Sequence, residues 1–73
     1  MIKILERAIE TEADNYMITL SADKNMYVIY LTYGLDADGF DILGESFYIS
    51  DDEIDKVSAE LTKYFRSKHS QGH

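Results

Sequence analysis

Hydrophobic side chains recur along this chain with two different periods, and each change of period marks an element. Over the first dozen residues Ile2, Leu5 and Ile9 return at helical spacing. Ile4 and Ala8 widen that stripe, while Glu6 and Glu10 fall toward the other side. The pattern predicts a helix over about 2–13, closed by Asn15 as its left-handed residue. Read alone, the opening "MIKIL" is also compatible with a strand. From Tyr16 the period drops to two: Tyr16, Ile18 and Leu20 alternate with Met17, Thr19 and Ser21, as in a half-buried strand. "DKN" supplies a turn, and "MYVIYLTY" from Met26 to Tyr33 is a second strand rich in β-branched and aromatic residues. A third strand is expected from about Phe40 to Ile49. Its alternation slips, because Phe40 and Ile42 share one parity and Phe47 and Ile49 the other. A β-bulge near Gly44 returns all four to one face.

The final element starts at "SDDE", Ser50 to Glu53, which has the form of a capping box with Ile49 and Ile54 as its hydrophobic staple. Ile54, Val57, Leu61, Tyr64 and Phe65 then form one apolar stripe. Acids crowd the positive end of this helix, and Arg66 and Lys68 sit at its negative end. The helix is expected to end near Lys68, leaving 69–73 as a frayed tail. The order is αβββα, an α+β two-layer sandwich built as one domain over 1–68 around a three-stranded antiparallel meander.

Between the second and third strands lies "GLDADGFDILGE", Gly34 to Glu45, whose acids invite comparison with a calcium loop. Asp36, Asp38, Gly39 and Glu45 match the third, fifth, sixth and twelfth places of an EF-hand loop, but Gly34 stands where the first ligand belongs. Both flanks read as strands, not helices. Asp36 to Gly39 is therefore expected to be a hairpin connection, with Asp favouring the turn start and Gly39 supplying a positive φ. No metal and no cofactor are expected. His69 and His73 fall in the expected tail without the spacing of a ligand pair, and no phosphate-binding loop or nucleophile elbow is present. Asp51 and Asp52 could in principle perform acid–base chemistry, but at a helix start they are expected to stabilise the helix dipole. The chain is not expected to be an enzyme.

Composition sharpens the choice. Fourteen acids against seven bases give 73 residues a net charge of −7, which disfavours nucleic acid and anionic membranes and favours basic surfaces. No Lys or Arg occurs from Asn25 to Asp55, a stretch holding eight acids: Asp36, Asp38, Asp41, Glu45, Asp51, Asp52, Glu53 and Asp55. No cysteine is present and no apolar run approaches the roughly 20 residues of a bilayer span, so a cytoplasmic protein is expected.

The meander has a second face. With Tyr27, Ile29, Leu31 and Tyr33 turned to the core, Met26, Val28, Tyr30 and Thr32 turn away. Asp41, Leu43 and Tyr48 join them, beside Met17 and Thr19. Either the first helix covers this face, or both helices lie on one side and the face is an interface for a partner or a second copy.

The helix–meander–helix order, the acidic hairpin "LDADGF" and the acidic helix start "SDDE" together resemble small acidic phage-encoded anti-CRISPR proteins. That resemblance implies a stoichiometric inhibitor that mimics nucleic acid and occupies a basic groove of a host protein, such as a CRISPR effector. Its contacts would be Asp36, Asp38, Asp41 and Glu45, with Asp51, Asp52, Glu53 and Asp55 as a second patch. Tyr30 and Tyr48 complete the candidate partner-binding set. The alternative expectation is a structural homodimer pairing through the Tyr30/Tyr48 face.

Overall fold

The opening stripe forms helix α1, Lys3–Glu10, in the computed structural model, which describes residues 2–23 and 25–70. Its buried positions are Ile4 and Ala8, whereas Ile9 stays 43% exposed. The reason lies at the helix end. Glu12 takes a φ of 56°. The Ala13 amide donates to the Ala8 carbonyl at 3.0 Å and the Glu12 amide to the Ile9 carbonyl at 3.3 Å, the paired bonds of a Schellman cap. Ala8 and Ala13, both fully buried, complete it. The left-handed residue is thus Glu12, not Asn15, and the chain turns earlier than its sequence suggests. Asn15 instead begins the first strand, where its Oδ1 accepts the Tyr16 amide at 2.9 Å.

Strands β1 (Asn15–Ser21), β2 (Met26–Leu35) and β3 (Asp41–Ile49) pair antiparallel in chain order, with β2 in the centre. The β1–β2 register is unbroken from Asn15 opposite Thr32 to Ser21 opposite Met26. The β2–β3 register slips twice. Between the pairs Tyr30–Ser46 and Thr32–Leu43, Gly44 and Glu45 together face Leu31, which is the expected bulge. Between Thr32–Leu43 and Leu35–Asp41, Tyr33 and Gly34 face Ile42. This second bulge uses the positive φ of Gly34, +85°, and returns Leu35 to the face shared by Asp41 and Leu43.

One face of the sheet carries the core. Tyr16, Ile18, Tyr27, Ile29, Leu31, Tyr33, Phe47 and Ile49 gather with Ile4 and Ala8 of α1, and with Ile54, Val57, Leu61 and Phe65 of the second helix, α2 (Ile54–Ser70). Ile29, Leu31 and Leu61 are fully buried, each contributing about 1.5–3 kcal/mol of hydrophobic stabilisation. Both helices therefore lie on the same side, and α1 does not cover the second face. The shortest dimension, 17 Å, accommodates one helix layer on one sheet. Two tyrosine hydroxyls stitch the layers: Tyr16 Oη lies 2.6 Å from Thr62 Oγ1, and Tyr33 Oη donates to Thr11 Oγ1 at 2.7 Å.

Helix α2 begins at Ile54, after a turn over 51–53, and so starts later than a cap at Ser50 implies. The Glu53 and Ile54 amides both donate to the Ser50 carbonyl at 3.1 Å, while the reciprocal side-chain bonds of a capping box are not formed among the described residues. At its far end α2 continues to Ser70, beyond Lys68. The last turn is docked on the link between α1 and β1: Lys68 Nζ donates to the Ala13 carbonyl, and His69 Nε2 lies 2.8 Å from the Asp14 carbonyl oxygen. Those contacts hold His69 and Ser70 in the helix; the remainder of the expected tail, including His73, lies outside the described residues.

Candidate protein-interaction surface

The hairpin tip is built by one of its own acids. Asp36 Oδ1 accepts the amides of Asp38 at 2.9 Å and Phe40 at 3.0 Å. The Asp36 carbonyl accepts the Gly39 amide at 3.1 Å, the Asp36 amide donates to the Phe40 carbonyl at 2.8 Å, and Gly39 takes a φ of +87°. Asp36 is thus a structural residue of a turn between two strands. Its carboxylate is only partly available to a partner. Asp38 is exposed and makes no side-chain bond among the described residues. Asp41, opposite Leu35, is exposed on the helix-free face. Among the described residues no group of three His, Asp or Glu comes together in a way that could hold a metal ion.

Glu45 has a different role. The bulge turns it toward the helix layer, where Arg7 Nε donates to Glu45 Oε1 at 3.0 Å and the Arg7 terminal nitrogen lies 3.0 Å from the same oxygen. That hydrogen bond and the adjacent negative charge hold the Arg7 guanidinium pKa above its ordinary value. Glu45 is therefore a neutralised member of the acidic set. Nothing local reveals the pair, since 38 residues separate its partners.

Asp51, Asp52, Glu53 and Asp55 are all exposed, in the first turn of α2 and just before it. They stand beyond the opposite end of β3 from Asp38 and Asp41, a separation of roughly 25 Å at strand rise. The eight acids accordingly form two arrays, not one. Bases are segregated from the first. Lys3, Arg7, Lys56, Lys63, Arg66 and Lys68 all lie on the helices, and the strands carry none among the described residues. Residues 15–50 hold five acids and one base, Lys24, and so account for −4 of the total −7.

Between the arrays runs the helix-free face. Tyr30 is half-buried in its middle, Tyr48 is 55% exposed toward β3, and Val28 and Thr32 are buried beneath their neighbours. Leu43 is 48% and Leu35 65% exposed. Leu35 joins this face only through the Gly34 bulge; strict alternation from Leu31 and Tyr33 points it to the core side. Phe40, expected on the core side, is 71% exposed at the hairpin tip, because it precedes β3 at the tip and lies outside the core.

No helix among the described residues is long and apolar enough to cross a membrane. Comparison with protein-family models, with curated proteins and with solved structures finds no match for this chain.

Proposed function

We propose that this chain is an acidic protein-binding module that occupies a basic, nucleic-acid-binding surface of another protein by charge mimicry, in the manner of small acidic anti-CRISPR inhibitors. The observation that carries this reading is the segregation of charge: exposed carboxylates on the hairpin and at the start of α2 flank a sheet whose strands hold no base among the described residues. Spacing supports it as well, because two acidic arrays joined by one rigid strand present charge at fixed separation, as a phosphate backbone does. The uncharged centre, with Tyr30 and Tyr48, supplies apolar contact once the charges have aligned the partner.

The test is capture of basic partners by the folded chain, comparing it with the double reversal Asp38→Lys, Asp41→Lys. Capture is expected to fall steeply between about 0.1 M and 1 M salt, where the screening length drops from about 10 to 3 Å. It is also expected to be lost in the double reversal and to be displaced by double-stranded DNA. Undiminished capture by the reversed chain would refute the proposal. A second reading, pairing of two copies through the sheet face, is favoured by the exposure of Leu35, Leu43 and Tyr48. It predicts a dimer that Tyr48→Lys dissociates.

A further inference from the structure

We infer that two copies of this chain join edge to edge through β1, in a two-fold pairing centred on Ile18 that seats Leu20 of each copy in a groove beside Tyr16 of the other.

Three observations converge on β1. Among the described residues the sheet has two open edges, and they differ. The β3 edge is interrupted by the bulge at Gly44 and Glu45 and carries Asp41 and Glu45. The β1 edge, "NYMITLS", keeps an unbroken register and contains no charged residue, no glycine and no proline. Bulges, charges and proline are the usual means by which an edge strand avoids pairing, and β1 has none of them. In a chain of net charge −7 a second copy is repelled by most of the surface, so an edge strand free of charge is where two copies can approach.

The second observation is Leu20. It shares the helix-facing row of β1 with Tyr16 and Ile18, yet remains 65% exposed. The third is a groove of about 680 Å³ at the other end of the same strand, lined by Asn15, Tyr16, Thr62, Phe65 and Arg66 among others. No residue of β2 or β3 lines it, so it opens along the outer side of β1. An exposed apolar knob and an open groove with an aromatic wall thus sit roughly 13 Å apart on one strand edge.

A two-fold axis through Ile18 brings them together. Antiparallel pairing in that register sets Tyr16 opposite Leu20, Ile18 opposite Ile18 and Leu20 opposite Tyr16 on the helix side. On the other side it sets Met17 opposite Thr19 and Asn15 opposite Ser21. On the helix side apolar residues meet apolar ones; on the other side Asn15 meets Ser21 and Met17 meets Thr19, so no charge is brought opposite another in this isologous pairing. The two three-stranded sheets become one continuous sheet with all helices on the same side. Both β3 strands, with their acidic hairpins, lie at the outer edges and stay free. The pairing therefore does not depend on the basic-partner reading and is compatible with it.

Sedimentation equilibrium of the full chain tests the inference. A mass twice the 8.4 kDa of one chain is expected. Raising salt should strengthen this dimer by screening like charges, the opposite of its effect on a basic partner. Leu20→Lys should weaken dimerisation at least tenfold, and Tyr48→Lys should leave it unchanged. Because the chain has no cysteine, Ile18→Cys gives a second reading: oxidation should cross-link it to a dimer, and Tyr48→Cys should remain monomeric. A chain of 8.4 kDa mass at every concentration up to millimolar would overturn the inference. So would a dimer that survives Leu20→Lys but dissociates with Tyr48→Lys, or an Ile18→Cys chain that does not cross-link.

Discussion

The ring of Tyr33 lies directly over the backbone of Gly44. A Cβ added at Gly44 would overlap Tyr33 Cε2, with Cδ2 at 3.0 Å and Cζ at 3.1 Å. The ring cannot easily yield, because its hydroxyl donates to Thr11 Oγ1 at 2.7 Å and Thr11 in turn donates to the Arg7 carbonyl at 2.7 Å. Gly44 is thus required by the ring above it and not by a positive φ. Gly44→Ala is expected to cost about 1–3 kcal/mol, as overpacking does, and denaturant unfolding measures it. The double change Gly44→Ala, Tyr33→Ala removes the overlap, so the two costs should not add.

Glu12 should be the converse case, a residue whose replacement by glycine stabilises. It holds a φ of 56° at the end of α1, where a side chain is strained and glycine is not. Glu12→Gly is expected to raise stability by about 0.5–1 kcal/mol, or roughly 2–8 °C in melting temperature for a domain of this size. Glu12→Ala removes the same charge and keeps the strain. It should show no comparable gain, and calorimetry on the two variants separates backbone from charge.

The parts of this fold that sequence reading recovers are those written in local pattern. The order of elements follows from the switch between periods of 3.6 and two, and the bulge at Gly44 from a slip in parity between Ile42 and Phe47. The side on which α1 packs is not local. It depends on a Schellman cap at a glutamate, which residue preference argues against, and on the Asp14 backbone amide donating to the Thr32 carbonyl at 2.8 Å to launch β1. The candidate surface divides in the same way. Exposure of Asp38, Asp41 and the acids at the α2 start follows from turn and cap signals. The diversion of Asp36 into its own turn and of Glu45 to Arg7 needs three-dimensional neighbours that spacing alone does not supply.

Tyr16 joins β1 to α2 through both its ring and its hydroxyl. The ring stacks on Phe65 with centroids 5.9 Å apart, and the hydroxyl lies 2.6 Å from Thr62 Oγ1 and 3.3 Å from Ser58 Oγ. Tyr16→Phe keeps the stacking and strands the two helix hydroxyls only at a partly solvated site. It is expected to cost about 0.5–1.5 kcal/mol, the net worth of an ordinary hydrogen bond. Tyr16→Ala also removes the ring from the core and should cost about 3–5 kcal/mol, a loss that equilibrium unfolding in urea would resolve from the first.

The hairpin offers a separation of shape from charge. Asp36 and Asp38 carry the same charge two residues apart, but only Asp36 accepts backbone amides, from Asp38 and Phe40. Asp36→Ala is expected to destabilise the chain by about 1–2 kcal/mol, in the range of a lost side-chain cap, while Asp38→Ala should stay within about 0.5 kcal/mol of the parent. Asp36→Asn keeps an oxygen acceptor in place and should recover most of the stability. If a basic partner reads the hairpin by charge, Asp38→Ala must weaken binding and steepen no unfolding transition. Asp36→Asn, measured at a temperature where it is fully folded, must weaken binding by a similar factor, since it deletes the same unit of charge from a turn of unchanged shape. Titration of both variants against one captured partner at low salt decides the matter. Weakening by Asp36→Ala alone would mean that the partner recognises the form of the turn and not its charge.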